Sequence, residues 1–283
     1  MTTTIQQLIR VAAGDYHTVV AKPSGHVLVW GWNNRAQRDV PAGLGDVAQV
    51  AAGSNHSLAV TREGRVIAWG ANFSRQCDVP SDLTDVVHVA AGVIHSLAVT
   101  QAGHVVVWGN NSVPYHLSMP RNIDDVVQVA AMDYNTVVLT RAGQVVVWAH
   151  DFSDYTILSG MNEIVQIAAG SSHVVALTRA GEVVVWESDV HGESRVKSDV
   201  TDVVQVAAGM KYSLALTQAG KVVAWGWNDM HQCTVPANLT GVVQIAAGWK
   251  HAVALTSDGR IVAWGSNDRG QCNVPAIQID YMR

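Results

Sequence analysis

The side chains best suited to chemistry in this 283-residue chain fall into three groups, and their spacing decides what each is for. His17, His56, His95, His173 and His251 each follow an Ala-Ala-Gly-x-x stem. Imidazole serves as acid, base or metal ligand near neutral pH. One histidine per repeat, however, spreads the set around a ring instead of gathering it at one centre, which predicts a repeated structural hydrogen bond. The second group is His150, Asp151, Asp154, Glu187, Asp189 and His191, enough donors for a divalent-metal site across two adjacent repeats, with no spacing that matches a ligand motif. The third is Cys77, Cys233 and Cys272, all within Gln-Cys-x-Val-Pro. Three thiols at equivalent positions fit neither a disulfide framework nor a CxxC site, and read as small buried residues on a strand. No G-x-S-x-G elbow, P-loop or GxGxxG in strand–helix context occurs. The expectation is therefore no catalytic residue, no metal and no cofactor. An enzyme, or a metal or small-ligand binder using the acidic residues, is the alternative.

These groups are positioned by a repeat. The tryptophans of a V-x-x-W motif stand at 30, 69, 108, 148, 186, 225 and 264, a period of 38 to 40 residues, and the Ala-Ala segments before them keep the same step. Tandem units of this length imply a solenoid or propeller. Each copy holds four β-rich runs; in the sixth they are Val203–Ala208, Ser213–Thr217, Lys221–Trp225 and Cys233–Val235. The second and third are joined by a Gly-containing turn such as 218–220, as a tight hairpin requires. The first and third are continuously apolar, which means burial on both faces. Sheets sandwiched between neighbours in a ring meet that demand. The prediction is an all-β, seven-bladed β-propeller of four-stranded antiparallel blades, one domain over 1–283. Its repeats run 8–46, 47–85, 86–125, 126–163, 164–202, 203–241 and 242–280. The repeated Trp fills the space between blades, and the Ala-Ala-Gly ends crowd around the axis. Seven whole units run from Leu8 to beyond Val274, so the ring needs no shared blade; pairing of Thr2–Gln7 with Ile277–Tyr281 at the seam is left open.

Composition narrows the function. A net charge of −5 disfavours non-specific nucleic-acid binding. Apolar runs of four to six residues are too short for a membrane-spanning helix. No signal peptide is visible, so a cytoplasmic protein is expected, or a secreted one if the chain is a mature form.

Strand direction sorts the loops. The residues after Ala-Ala-Gly and the segment after each Trp share one face, here called the top. The turns on the bottom are monotonous (REG, QAG, RAG, RAG, QAG, SDG), whereas the top loops diverge. Eleven aromatic residues remain once the seven repeat tryptophans are set aside, and nearly all lie in or beside top loops. Exposed loop aromatics are the material of interface hot spots. Tyr16, Trp32, Phe73, Asp133, Tyr134, Phe152, Lys211, Trp227, Trp249 and Lys250 are accordingly the expected contacts for a protein partner, on a monomer or weak homo-oligomer. Charge divides this face: Asp133, Asp151, Asp154, Glu187, Asp189 and Glu193 in copies four and five, against Lys211, Lys250, Arg269, Arg35 and Arg75 in copies six, seven, one and two. Copies three to five break the repeat most, with Met132 in place of its Gly, which marks that arc as a second candidate for contact.

The stretch V-x-x-VAAG-x-x-HSLAVT-x-x-G-x-V-x-AWG-x-N-x-x-x-QC-x-VP resembles the repeat of the regulator of chromosome condensation superfamily, over residues 8–280. Its Gln-x-x-Val-Pro ending, as at Gln232–Pro236, is more similar to the bacterial branch typified by β-lactamase inhibitory protein II. The resemblance implies the propeller and three functions. Nucleotide exchange fits poorly, because the chain lacks room for a wedge insertion. The UV-B receptors of the superfamily use repeated Gly-Trp-Arg-His-Thr motifs, of which only Gly248–Ala252 is similar here. Binding or inhibition of a protein through top-face aromatics fits best.

Overall fold

The computed structural model describes residues 10–109, 123–131, 133, 136–148, 155–158, 163–186, 196 and 200–276. Among them the chain forms seven separate antiparallel sheets in sequence order. The first consists of β1 (Arg10–Ala13), β2 (His17–Ala21) and β3 (Val27–Gly31), each paired with the next. The innermost strands of the following blades are Val47–Ala52, Val86–Ala91, Val126–Ala131, Ile164–Ala169, Val203–Ala208 and Val242–Ala247. Each packs against the innermost strand of the next blade, and Val242–Ala247 packs on β1, so the ring is closed.

The fourth run departs from expectation. It is a strand in blade four, where Tyr155–Leu158 pairs with Val145–Trp148. In blades one, two, six and seven it is a loop, so Cys233–Val235 is not a strand and the cysteines are not strand residues. The reason is local: the loop uses its own amides. The Cys233 N–H donates to Asn228 Oδ1 at 2.7 Å and the Val274 N–H to the Cys272 carbonyl at 2.9 Å, leaving little for a ladder. Each Cys Sγ lies 3.2 Å from the carbonyl of Ala71, Trp227 or Ser266. Burial pushes the Cys77 and Cys272 thiols up to about 12 and about 11, which disfavours the thiolate.

The core lies between blades. Val19 and Ala21 of blade one pack with Val47, Val50, Ala59 and Trp69 of blade two, and equivalent clusters recur around the ring. Trp30, Trp69, Trp108, Trp225 and Trp264 are buried, each indole contributing a few kcal/mol at about 25 cal/mol per Å².

A polar bracket repeats beside each of several Trp. His17 Nε2 lies 3.0 Å from Ser57 Oγ of the next blade; that hydroxyl is 3.3 Å from the Gln37 carbonyl, which also accepts from Trp69 Nε1–H at 3.0 Å. With Ser57 donating to the carbonyl, His17 must donate from Nε2, leaving Nδ1 as a buried acceptor with no partner. His56, Ser96, Gln76 and Trp108 repeat the bracket, and His251, Thr18, Gln271 and Trp30 build it across the seam. His173 Nε2 likewise meets Ser213 Oγ at 2.9 Å. The expected structural role is thus present at His17, His56, His173 and His251, and the first and last blades join by the same contacts as their neighbours. The terminal segments Thr2–Gln7 and Ile277–Tyr281 lie outside the described residues.

The Ala-Ala-Gly ends need glycine for space: a Cβ on Gly53 would stand 2.3 Å from the Gly92 carbonyl and 2.5 Å from the His56 ring.

Candidate functional site

Four consecutive blades, six, seven, one and two, carry one loop on the top face, and its asparagine and glutamine hold it rigid. Asn33, Asn72, Asn228 and Asn267 each accept from the backbone N–H five residues on, at 2.7 to 2.9 Å. Gln37, Gln76, Gln232 and Gln271 each accept from the N–H two residues back, at 2.8 to 2.9 Å. The first amide of the loop is tied to the neighbouring top loop, as Trp32 N–H donates to the Tyr16 carbonyl and Trp227 N–H to the Lys211 carbonyl, both at 2.8 Å. The side chains between these anchors are the ones that differ: Trp32, Asn34 and Arg35; Ala71, Phe73 and Ser74; Trp227, Asp229 and Met230; Ser266, Asp268 and Arg269.

Upon that frame sits a continuous run of rings and cations. Lys250 Nζ lies over both Trp227 and Trp249, 4.7 and 4.8 Å from the ring centroids. Tyr16 meets Trp249 and Trp32 edge to face, at 5.2 and 5.1 Å. Arg269 covers Trp32 at 4.4 Å, and Arg35 covers Phe73 at 4.9 Å. Cation–π contacts at such distances contribute about 0.5–1 kcal/mol at exposed sites. The three tryptophans, Tyr16 and Lys250 are half-buried, whereas Phe73 is 71% exposed.

Of the expected contacts, the structure brings Tyr16, Trp32, Trp227, Trp249 and Lys250 together, with Phe73 on the adjoining loop. Arg269 and Arg35 belong to this group as ring partners and are additions to it; the signal for them is their common slot two residues after the loop Asn. Asp133 stands apart, at the axis. Tyr134 and Phe152 lie outside the described residues, as do His150, Asp151, Asp154, Glu187, Asp189, His191, Glu193 and Met132.

The axis opens on this face as a cavity of about 150 Å³, with one residue per blade at its collar, among them Asp15, Ser54, Asp133, Ser171 and Trp249. Ser171 Oγ donates to Asp133 Oδ1 at 3.0 Å. Desolvation raises Asp15 from 3.8 to about 6, a hydrogen bond with Ser54 opposes the rise, and the Asp133 charge adds to it. The folded chain therefore takes up a proton at Asp15 between pH 3.8 and 6, and at neutral pH the ionised carboxylate works against folding. Asp15→Asn is expected to gain about 1–2 kcal/mol at pH 7.5 and less at pH 5, after discounting for the partly exposed position. Urea midpoints at the two pH values measure this, and a loss of stability at both would show that Asp15 is not strained by its surroundings.

A family model described as the regulator of chromosome condensation (RCC1) repeat matches residues 8–37, 47–76, 86–113, 164–186, 203–232 and 242–271. No curated protein matches the chain in sequence. Among solved structures, human WBSCR16 superimposes with a TM-score of 0.70 at 22% identity, covering 89% of this chain and 87% of that one. Prp20p of Saccharomyces cerevisiae, studied for its binding to Gsp1p and histones, gives 0.72 at 18% identity over 86% and 81%. The CRINKLY ectodomain of the Arabidopsis thaliana receptor kinase ACR4 gives 0.70 at 19% over 93% and 97%. At these identities the likeness is one of fold.

Proposed function

Because the chain belongs to the regulator of chromosome condensation (RCC1) repeat family, whose yeast member Prp20 is bound by Kap60 in one solved structure, we propose that it is a non-catalytic protein-binding propeller. Its binding surface is the top face, centred on the arc of blades six, seven, one and two. The observation that carries this reading is the ring-and-cation run of Trp227, Lys250, Trp249, Tyr16, Trp32 and Arg269, mounted on a loop whose backbone is fixed. Half-buried aromatic side chains in a fixed frame lose little entropy on binding, and aromatic and arginine residues supply most interface energy. Enzyme inhibition by occlusion is the finer form of the same reading.

The test compares the intact chain with a Trp32→Ala, Trp227→Ala, Trp249→Ala variant of matched circular dichroism and melting temperature. Both are immobilised and exposed to lysate and medium of the source organism. The captured protein is expected to bind the variant at least 100-fold more weakly, since hot-spot truncations cost about 2 kcal/mol or more each. Equal capture by both chains removes the top face from consideration.

A further inference from the structure

The same face carries information about the partner's chemistry, and the step taken here rests on the top-face reading above. We propose that the arc of blades six, seven, one and two receives a carboxylate-rich segment of a partner protein.

The first observation is where charges are paired. Ion pairs join Arg62 with Asp46, Arg141 with Asp125, Arg179 with Glu163 and Arg260 with Asp258. These four lie on the bottom face, in the turns and strand starts opposite the variable loops. On the top, Lys250, Arg269 and Arg35 are placed over indole or phenyl rings. A ring holds a cation in position without neutralising it, so the charge stays available to an incoming anion.

The second observation is what the carboxylates of these four loops are doing. Asp39 and Asp78 accept from the loop asparagines Asn33 and Asn72, at 2.8 and 2.7 Å, and Asp268 lies 3.4 Å from Ser266 Oγ. Those contacts fix the carboxylates in place, turned toward their own loop. With Asp229 they balance Arg35, Arg38, Arg75 and Arg269 of the four loops, and Lys211 and Lys250 beside them tip the charge to positive. The arc is net positive in a chain whose charge is −5.

The third observation separates a protein from a nucleic acid. The cations alternate with apolar rings, and the arc ends inward at Asp15, which faces Asp133 of blade four across the axial collar. A single-stranded nucleic acid meets repulsion there, and the ring faces on which its bases would stack are covered by Lys250, Arg269 and Arg35. A polypeptide can place glutamate or aspartate over Lys250, Arg269 and Arg35, set apolar side chains on Trp32 and Trp249, and keep its own acidic groups off the axis. Complementarity of this kind chiefly sets orientation and association rate.

Calorimetry on the full chain tests this with three probes: a twelve-residue peptide of Glu-Glu-Leu repeats, its Lys-Lys-Leu counterpart, and a twelve-nucleotide oligothymidylate. The acidic peptide is expected to bind most tightly. Its affinity should fall about tenfold from 50 to 300 mM NaCl, and about tenfold in a Lys250→Met, Arg269→Met variant that melts like the parent. Absence of binding by the acidic peptide, or equal or tighter binding of either other probe, overturns the proposal. The partner captured through Trp32, Trp227 and Trp249 gives a separate reading. If its affinity ignores both salt and the Lys250→Met, Arg269→Met change, the acidic-partner assignment fails while the aromatic face stands. If capture survives loss of the three tryptophans, the face itself is wrong.

Discussion

Lowering the pH from 7.5 to 4.5 is expected to remove about 6 kcal/mol of folding free energy, enough to unfold a domain of ordinary stability. The source is the ring of interblade histidines. Burial holds His17 at about 4 and His56 and His251 at about 3, against 6.5 in the unfolded chain; neighbouring imidazoles add to the depression at His56 and His251. A lowered folded value means that the unfolded chain binds the proton first. The stabilisation is complete above pH 6.5 and is lost as pH falls from there toward the folded values. At pH 4.5 each of the three costs about 2.7 kcal/mol, or about 8 together. Asp15 acts in the opposite sense, because its folded value is raised, and returns about 2 kcal/mol over the same interval. The cost has a structural cause: a protonated ring would carry an N–H at Nδ1, where His17, His56 and His251 have no acceptor and sit against the glycine of their own stem. Urea midpoints at pH 7.5, 6.0 and 4.5 measure the slope. His56→Asn, which puts at this position the residue that blade four uses, should lower stability at pH 7.5 while flattening the net dependence by nearly half, about 2.7 of about 6 kcal/mol. A midpoint that does not move between pH 7.5 and 4.5 would mean these imidazoles are not the acid-sensitive element.

The repeat made the propeller legible, because tryptophan spacing and doubly apolar strands have one common solution. It also made the histidines legible as structure, since identity of position around a ring excludes convergence on one centre. Their partners were harder to see. His17 belongs with Ser57 and not with Thr18, so the relevant register runs from each copy to the next. The signal is nonetheless in the sequence. Where the histidine is missing, as at Asn135 and Tyr212, the hydroxyl of the following copy is missing too, at Val174 and Ala252. The fourth run has strand composition in Gln-Cys-x-Val-Pro, while the deciding residue is an asparagine five positions earlier that takes the Cys N–H. At the candidate site, loop aromatics were visible as types. Their grouping was not, since Tyr16, Trp32, Trp249 and Arg269 come from opposite ends of the chain and meet only because the ring closes.

That pairing rule yields a second large effect, at the junction of blades six and seven. Tyr212 fills the histidine position there and is fully buried. Its hydroxyl reaches past the usual bracket to donate to the His251 carbonyl at 2.5 Å, with the Gly248 carbonyl at 3.2 Å. Ala252 stands where the accepting hydroxyl would be. Tyr212→His should therefore cost about 3 kcal/mol: part for the void left by the larger ring, part for an imidazole N–H with no acceptor at Ala252. Ala252→Ser alone should cost about 1–2 kcal/mol, by setting a hydroxyl against the tyrosine ring. Together the two changes rebuild the bracket of the other junctions. The introduced imidazole donates to the introduced hydroxyl, and that hydroxyl donates to the Gln232 carbonyl, which already accepts from Trp264 Nε1–H at 2.9 Å. The double variant should then be more stable than the sum of the singles by about 1–2 kcal/mol, a coupling that a double-mutant cycle of urea denaturation resolves. Simple additivity would mean that Tyr212 and Ala252 are independent substitutions and that the bracket is no unit of stability.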